Sequence, residues 1–104
     1  MATNAIARLP MDPYVVETLM PDLVGHDRRP SAFLVYLYLW RQTNAGRARS
    51  VEISLRTIAE GTGVSKRAVQ NALRALTRRR LITASHATPS SAPTFIVHRP
   101  WLRR

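Results

Sequence analysis

Residues 54–82 read S-L-R-T-I-A-E-G-T-G-V-S-K-R-A-V-Q-N-A-L-R-A-L-T-R-R-R-L-I, and their spacing predicts two short helices joined by a tight turn. Leu55, Ile58 and Ala59 recur at helical intervals and give the first helix one apolar face. Gly61 and Gly63 interrupt it, Val64 is placed to plug the turn, and Ser65 stands where an N-cap belongs. Turned at about 100° per residue, the second helix puts Ala68, Val69, Ala72, Leu73, Ala75 and Leu76 on one side. Arg67, Gln70, Asn71, Arg74 and Arg78 fall on the other, with no acid among them. Each of these outer side chains can donate to base edges or phosphates. Arg matches guanine, and Asn or Gln matches adenine, through paired hydrogen bonds in the major groove of duplex DNA. The spacing therefore predicts a helix-turn-helix with a face suited to DNA.

On the C-terminal side the period changes after Arg80 from helical to strand-like. Residues 81–86 and 94–98 are β-prone runs around the tip Ala87-Thr88-Pro89-Ser90-Ser91-Ala92-Pro93, which predicts a hairpin, or wing. The tip carries no Arg or Lys, so its hydroxyls are open to phosphate or to solvent. The closing W-L-R-R is expected to set Trp101 against the core and leave Arg103 and Arg104 near the surface. On the N-terminal side, residues 51–53 alternate as a short strand, preceded by a loop carrying Arg47 and Arg49. Pro30-Ser31 opens a helix over about 32–43 that ends in Asn44-Ala45-Gly46, and its centre, F-L-V-Y-L-Y-L-W, is apolar all round. Before it, the first ten residues carry no pattern and are expected to fray. Asp12-Pro13 reads as a helix start, with Tyr14, Val15, Leu19 and Met20 as an apolar stripe that Pro21 interrupts. A further turn over 22–25 leads to a polar bend at 26–29.

Residues 54–82 resemble the winged helix-turn-helix domains of bacterial and phage DNA-binding proteins. The resemblance rests on Leu55, Ile58-Ala59, Thr62-Gly63-Val64-Ser65, Val69, Ala72-Leu73, Leu76 and Leu81-Ile82. It implies a mainly α fold with a small β-hairpin wing, formed by residues 30–104, with residues 1–29 as an additional, partly helical arm. One position departs from the pattern: Arg80 stands where the family places a glycine in the left-handed conformation.

Charge agrees with that reading. The 104 residues carry a net charge of +10, and fifteen of the sixteen basic residues are Arg, whose forked guanidinium suits phosphate and guanine. The distribution is uneven. Four of the six acids lie in residues 1–30, and none follows Glu60, whereas nine basic residues do. A genome rich in G and C would favour Arg over Lys but would not remove acids from one half of the chain. The absence of cysteine excludes a disulfide framework and fits a reducing cytoplasm, here the nucleoid. The longest apolar run, 32–40, is far short of the roughly 20 residues that span a bilayer, and the start lacks the apolar core of a signal peptide.

Base contacts are expected from Arg67, Gln70, Asn71 and Arg74, since the early residues of such a helix sit deepest in the groove. Backbone contacts are expected from Ser65, Lys66, Arg78 and Arg79, from Arg56 and Thr57 at the preceding helix start, and from Arg47 and Arg49. No nucleophile, base and orienting acid assemble from the scattered acids, and there is no glycine-rich phosphate loop, so neither catalysis nor a cofactor is expected. His86 and His98 could meet across the hairpin, but no third ligand stands near them to complete a metal site. No small-molecule effector site is evident.

The helix over 32–43 presents Ala32, Val35, Tyr36 and Leu39 to one side. That leaves Phe33, Leu34, Leu37 and Trp40 facing away, a patch wider than one short arm is expected to cover. These four, with Tyr14 and Leu19 of the arm, are the expected interface of a homodimer, which would set two recognition helices about one DNA turn apart. The alternative is an arm folded over its own domain. The leading functional expectation is a transcriptional regulator. A replication, partition or chromosome-organising factor, or a module that meets an acidic protein or RNA, would use the same features.

Overall fold

A computed structural model describes residues 8–45 and 47–102. The expected frayed start over residues 1–7, Gly46 at the helix end, and the terminal Arg103 and Arg104 lie outside the described residues. Three α-helices, α1 (Pro30–Gln42), α2 (Leu55–Thr62) and α3 (Lys66–Arg78), pack with three short strands, β1 (Val51–Glu52), β2 (Ile82–Ser85) and β3 (Thr94–Val97). The strands form one antiparallel sheet in the order β1-β3-β2, with Val51 opposite Phe95 and Ile82 opposite Val97. This is the winged helix-turn-helix that the resemblance implied.

Each helix end has a local cause. Ser54 caps α2 by accepting from the Thr57 amide at 3.1 Å, and Ser65 caps α3 by accepting from the Ala68 amide at 3.0 Å. Between them Gly63 takes the left-handed conformation at φ 83° and ends α2, a backbone setting that costs glycine nothing. The end of α3 is closed by the Leu81 amide on the Leu76 carbonyl and the Arg80 amide on the Thr77 carbonyl, both at 2.9 Å. Closing it this way puts Arg80 at φ 61°, where a side chain is crowded. Arg80→Gly should therefore raise stability in chemical unfolding by up to about 1 kcal/mol, the relief of backbone strain less the extra freedom glycine gives the unfolded chain. Lower stability would show that the Arg80 side chain makes a contact worth more than the strain.

The core lies between α1, α3 and the sheet. Val35, Tyr36, Leu39, Ile58, Val69, Ala72, Leu76, Ile82, Phe95 and Val97 are buried there. The small Ala72 and Ala75 let α3 approach α1 closely. The Tyr36 hydroxyl donates to the His98 carbonyl at 2.8 Å, so the one polar atom of that ring has a partner.

The arm does not break at Pro21. It runs as two π-helical turns, Val15–Leu19 and Pro21–His26, with the Met20 amide on the Val15 carbonyl and the Asp27 amide on the Asp22 carbonyl. In an α-helix the pyrrolidine ring would collide with the carbonyl four residues back. The wider turn carries the chain past it. Val15, Leu19 and Leu23, four residues apart, are buried and join the core of the helix-turn-helix.

That arrangement corrects the reading of α1. Phe33 and Trp40 are buried within the chain, Leu37 is half-buried, and only Leu34 stays well exposed, at 44%. Three residues expected at a dimer interface, Phe33, Trp40 and Leu19, are thus core. The expectation failed because the arm does not act alone. The Trp40 indole donates to the Pro10 carbonyl at 2.8 Å, which also anchors part of the start expected to fray. Trp101 returns from the C-terminus to stack between Trp40 at 6.1 Å and Tyr14 at 4.7 Å. Helix begins at Pro13 as expected, with the Asp12 carbonyl accepting from the Val15 amide at 3.0 Å, while the Asp12 carboxylate accepts from Arg99 at 2.9 to 3.1 Å and from the Trp101 indole at 2.9 Å. Tyr14 is left 38% exposed on the outside of this stack.

Candidate nucleic-acid interface

Burying Val69, Ala72, Ala75 and Leu76 turns the opposite face of α3 outward. Arg67, Gln70, Asn71, Arg74 and Arg78 are all exposed on it, as is Lys66 at its start. The four expected base readers therefore share one open surface. Two of them are joined: the Arg74 guanidinium donates to the Asn71 side-chain oxygen at 2.6 Å.

The expected backbone contacts divide. Lys66 and Arg78 are exposed, and so are Arg47 and Arg49 in the loop before β1. Arg56 is exposed and pairs with Glu60 at 3.1 Å, an i,i+4 bridge weak enough in water to exchange for a phosphate. Ser65 and Thr57 are already engaged. The Ser65 oxygen caps α3, and Thr57 gives its amide to the Ser54 oxygen while its hydroxyl lies 2.9 Å from that oxygen.

Arg79 is engaged more firmly, with the arm. It donates to both Asp27 oxygens at 2.8 Å and lies 3.9 Å from Asp22. Hydrogen bonds from Arg79, and then from His26, hold the Asp27 carboxyl at about 2, below its ordinary 3.8, so the pair is charged on both sides at neutral pH. The acid-free stretch after Glu60 makes Arg79 look free for a DNA backbone contact. Its partner lies 52 residues earlier, where local pattern carries no signal.

The wing adds a surface that sequence periodicity could not reveal. A cleft of about 520 Å³ opens between the start of α2, the middle of α3 and the wing, lined by Leu55, Leu73, Ala84, His86, Pro93 and Phe95 among others. A shallower hollow beside it, bounded by Leu73, Arg74, Thr77, Arg78 and Ala84, shares two of those residues. Leu73 and Ala84 thus floor a trough between helix and wing with two arginines at its edge. At the tip, the Ser91 hydroxyl is engaged with the Thr88 amide and carbonyl at 3.0 and 2.8 Å.

The two hairpin histidines do not face each other. In the register that pairs Ile82 with Val97, His98 lies at the base of the wing and His86 at its tip. The His98 Nε2 is 2.6 Å from the Thr83 hydroxyl, and the His86 Nδ1 is 3.1 Å from the Ser91 carbonyl, to which it donates. Among the described residues no group of three His, Asp or Glu could hold a metal, and no helix is long and apolar enough to cross a membrane.

Neither the curated proteins nor the solved structures yield a match. A family model described as a helix-turn-helix domain does match, over residues 29–82, just over half of the chain. The matched span runs from the start of α1 through β1, α2, the Gly63 turn and α3 to the first residue of β2. With the fold and the exposed basic helix already in place, the chain belongs to the helix-turn-helix family of DNA-binding domains.

Proposed function

We propose that the protein binds double-stranded DNA at specific sites and regulates transcription in a bacterium or phage, with no catalytic step and no cofactor. The observation that carries this reading is the outer face of α3, where Arg67, Gln70, Asn71, Arg74 and Arg78 are exposed together without an acid. In the major groove Arg67, Gln70, Asn71 and Arg74 reach base edges, and Lys66 and Arg78 hold the flanking phosphates. The trough floored by Leu73 and Ala84 gives one DNA strand a path between helix and wing, with its apolar floor against the sugars.

Division of labour along the helix is the test. Asn71→Ala or Arg67→Ala should cost roughly 1–3 kcal/mol on a cognate duplex and little on random DNA. Arg78→Ala should weaken both about equally, because a phosphate contact carries no sequence information. All three residues are exposed, so the fold should survive each change. Equal losses on both duplexes for Asn71→Ala would remove it from the base-reading set.

The same proposal has the protein act as a homodimer. With Phe33, Trp40 and Leu19 in the core, the exposed apolar side chains open to a two-fold contact include Leu34 on α1 and Tyr14, Val16, Met20 and Val24 on the arm, with Leu37 half-buried. Sedimentation at micromolar concentration should give a dimer mass that Leu34→Glu lowers. A monomer mass unchanged by DNA would reject the dimer and leave the DNA-binding reading standing.

A further inference from the structure

The wing carries no fixed charge. Residues 81–98 contain no Lys, Arg, Asp or Glu, and only His86 and His98 among them can become cationic. His98 lies at the base of the wing against the Thr83 hydroxyl. His86 stands at the tip, exposed, and lines the cleft that opens toward α2 and α3. Its Nδ1 donates to the Ser91 carbonyl at 3.1 Å, and its Nε2 has no partner among the described residues.

The charges that border this space have one sign. From α3, Arg74 and Arg78 edge the hollow that adjoins the cleft across Leu73 and Ala84. From α2 only the cap Ser54 and Leu55 reach the cleft, and the two charges on that helix, Arg56 and Glu60, bind each other. Glu52 of β1 is in register with Thr94, and Thr94 with Ser85, so these three share the face of the sheet opposite Ala84. A DNA strand resting on Leu73 and Ala84 therefore has two fixed cations on its helix side. On its wing side it has one group that is cationic only when protonated. We propose that His86 is a proton-gated phosphate contact, so that duplex affinity rises as pH falls. The proposal rests on the trough being the path of a DNA strand. A phosphate beside the ring favours its charged form. Binding then takes up a proton, and by reciprocity the proton strengthens binding. The gain is full below about 6.5, where histidine in water titrates, and is lost as pH rises through the higher value that a bound phosphate imposes.

Duplex affinity measured against pH at fixed salt, with the intact protein and two variants, tests it. The intact protein should bind about 3- to 6-fold more weakly at pH 8 than at pH 6. His86→Gln keeps a polar side chain but cannot take up the charge, and should bind about equally at both. His86→Arg should also lose the pH dependence, holding at pH 8 the affinity that the intact protein reaches only at pH 6. His26 and His98 remain in both variants, so a pH dependence of their making would persist. Circular dichroism should show both variants folded, since His86 is exposed. A flat profile in the intact protein, a pH dependence unchanged in His86→Gln, or no gain at pH 8 in His86→Arg overturns the proposal and leaves DNA binding by α3 intact. No duplex binding at either pH overturns both.

Discussion

Replacing Trp40 with alanine is expected to cost about 3–5 kcal/mol of folding stability. Its indole is fully buried, donates to the Pro10 carbonyl, lies 6.1 Å from the Trp101 ring and has the Arg99 guanidinium 5.6 Å from its centroid. Truncation opens a cavity where the arm, α1 and the C-terminus meet, and leaves the Pro10 carbonyl without its donor. Against a total of about 5–15 kcal/mol for a domain of this size, the loss takes at least a fifth of the stability. Gln42→Ala, on the same helix but exposed, should stay within about 0.5 kcal/mol.

The two substitutions also separate the folded-back arm from a Trp40-centred dimer. A cost arising inside one chain does not depend on protein concentration, whereas a cost arising at an interface does. Chemical unfolding of Trp40→Ala at two concentrations a hundredfold apart should give the same loss. A loss below about 1 kcal/mol, or one that changes with concentration, would mean that the arm does not dock as described.

What could be read locally was read. The Gly63 turn and the Ser54 and Ser65 positions follow from residue types whose backbone preferences act over three or four residues. The outward face of α3 follows from the spacing of Val69, Ala72 and Leu76. Arg80 is the exception: a residue other than glycine there argues for a helix end of a different shape, yet the chain keeps the left-handed turn.

What failed depended on distant partners. Asp12 does stand before the first helical residue, but the partners of its carboxylate, Arg99 and Trp101, are 87 and 89 residues away. Arg79 looks like its neighbour Arg78 until Asp27 is brought beside it. Phe33 and Trp40 look unpartnered on a helical wheel because a wheel cannot show Trp101 and the arm closing over them. Whether His86 meets His98 is likewise set by strand register, which places them at opposite ends of the wing. Long-range packing corrects the arm and gives Arg79 a partner, while the exposed basic face of α3 follows from local pattern.

That face leads to the most direct measurement, duplex affinity as a function of salt. Nine basic residues and no acid follow Glu60, and the exposed cations among the described residues include Lys66, Arg67, Arg74 and Arg78 on α3 and Arg47, Arg49 and Arg56 before it. Neutralising on the order of 6–10 phosphates releases a matching number of counterions, and log affinity then falls linearly with log salt at about −0.9 per contact. Between 50 and 200 mM salt the loss should be about 10³–10⁵-fold. Asp27 holds Arg79, so Arg79→Ala should leave the slope unchanged, whereas Arg78→Ala should reduce it by about one contact. Double-stranded RNA of equal length should compete poorly, since its narrow major groove excludes a helix. A duplex affinity that stays flat across this salt range would contradict the claim that α3 binds DNA.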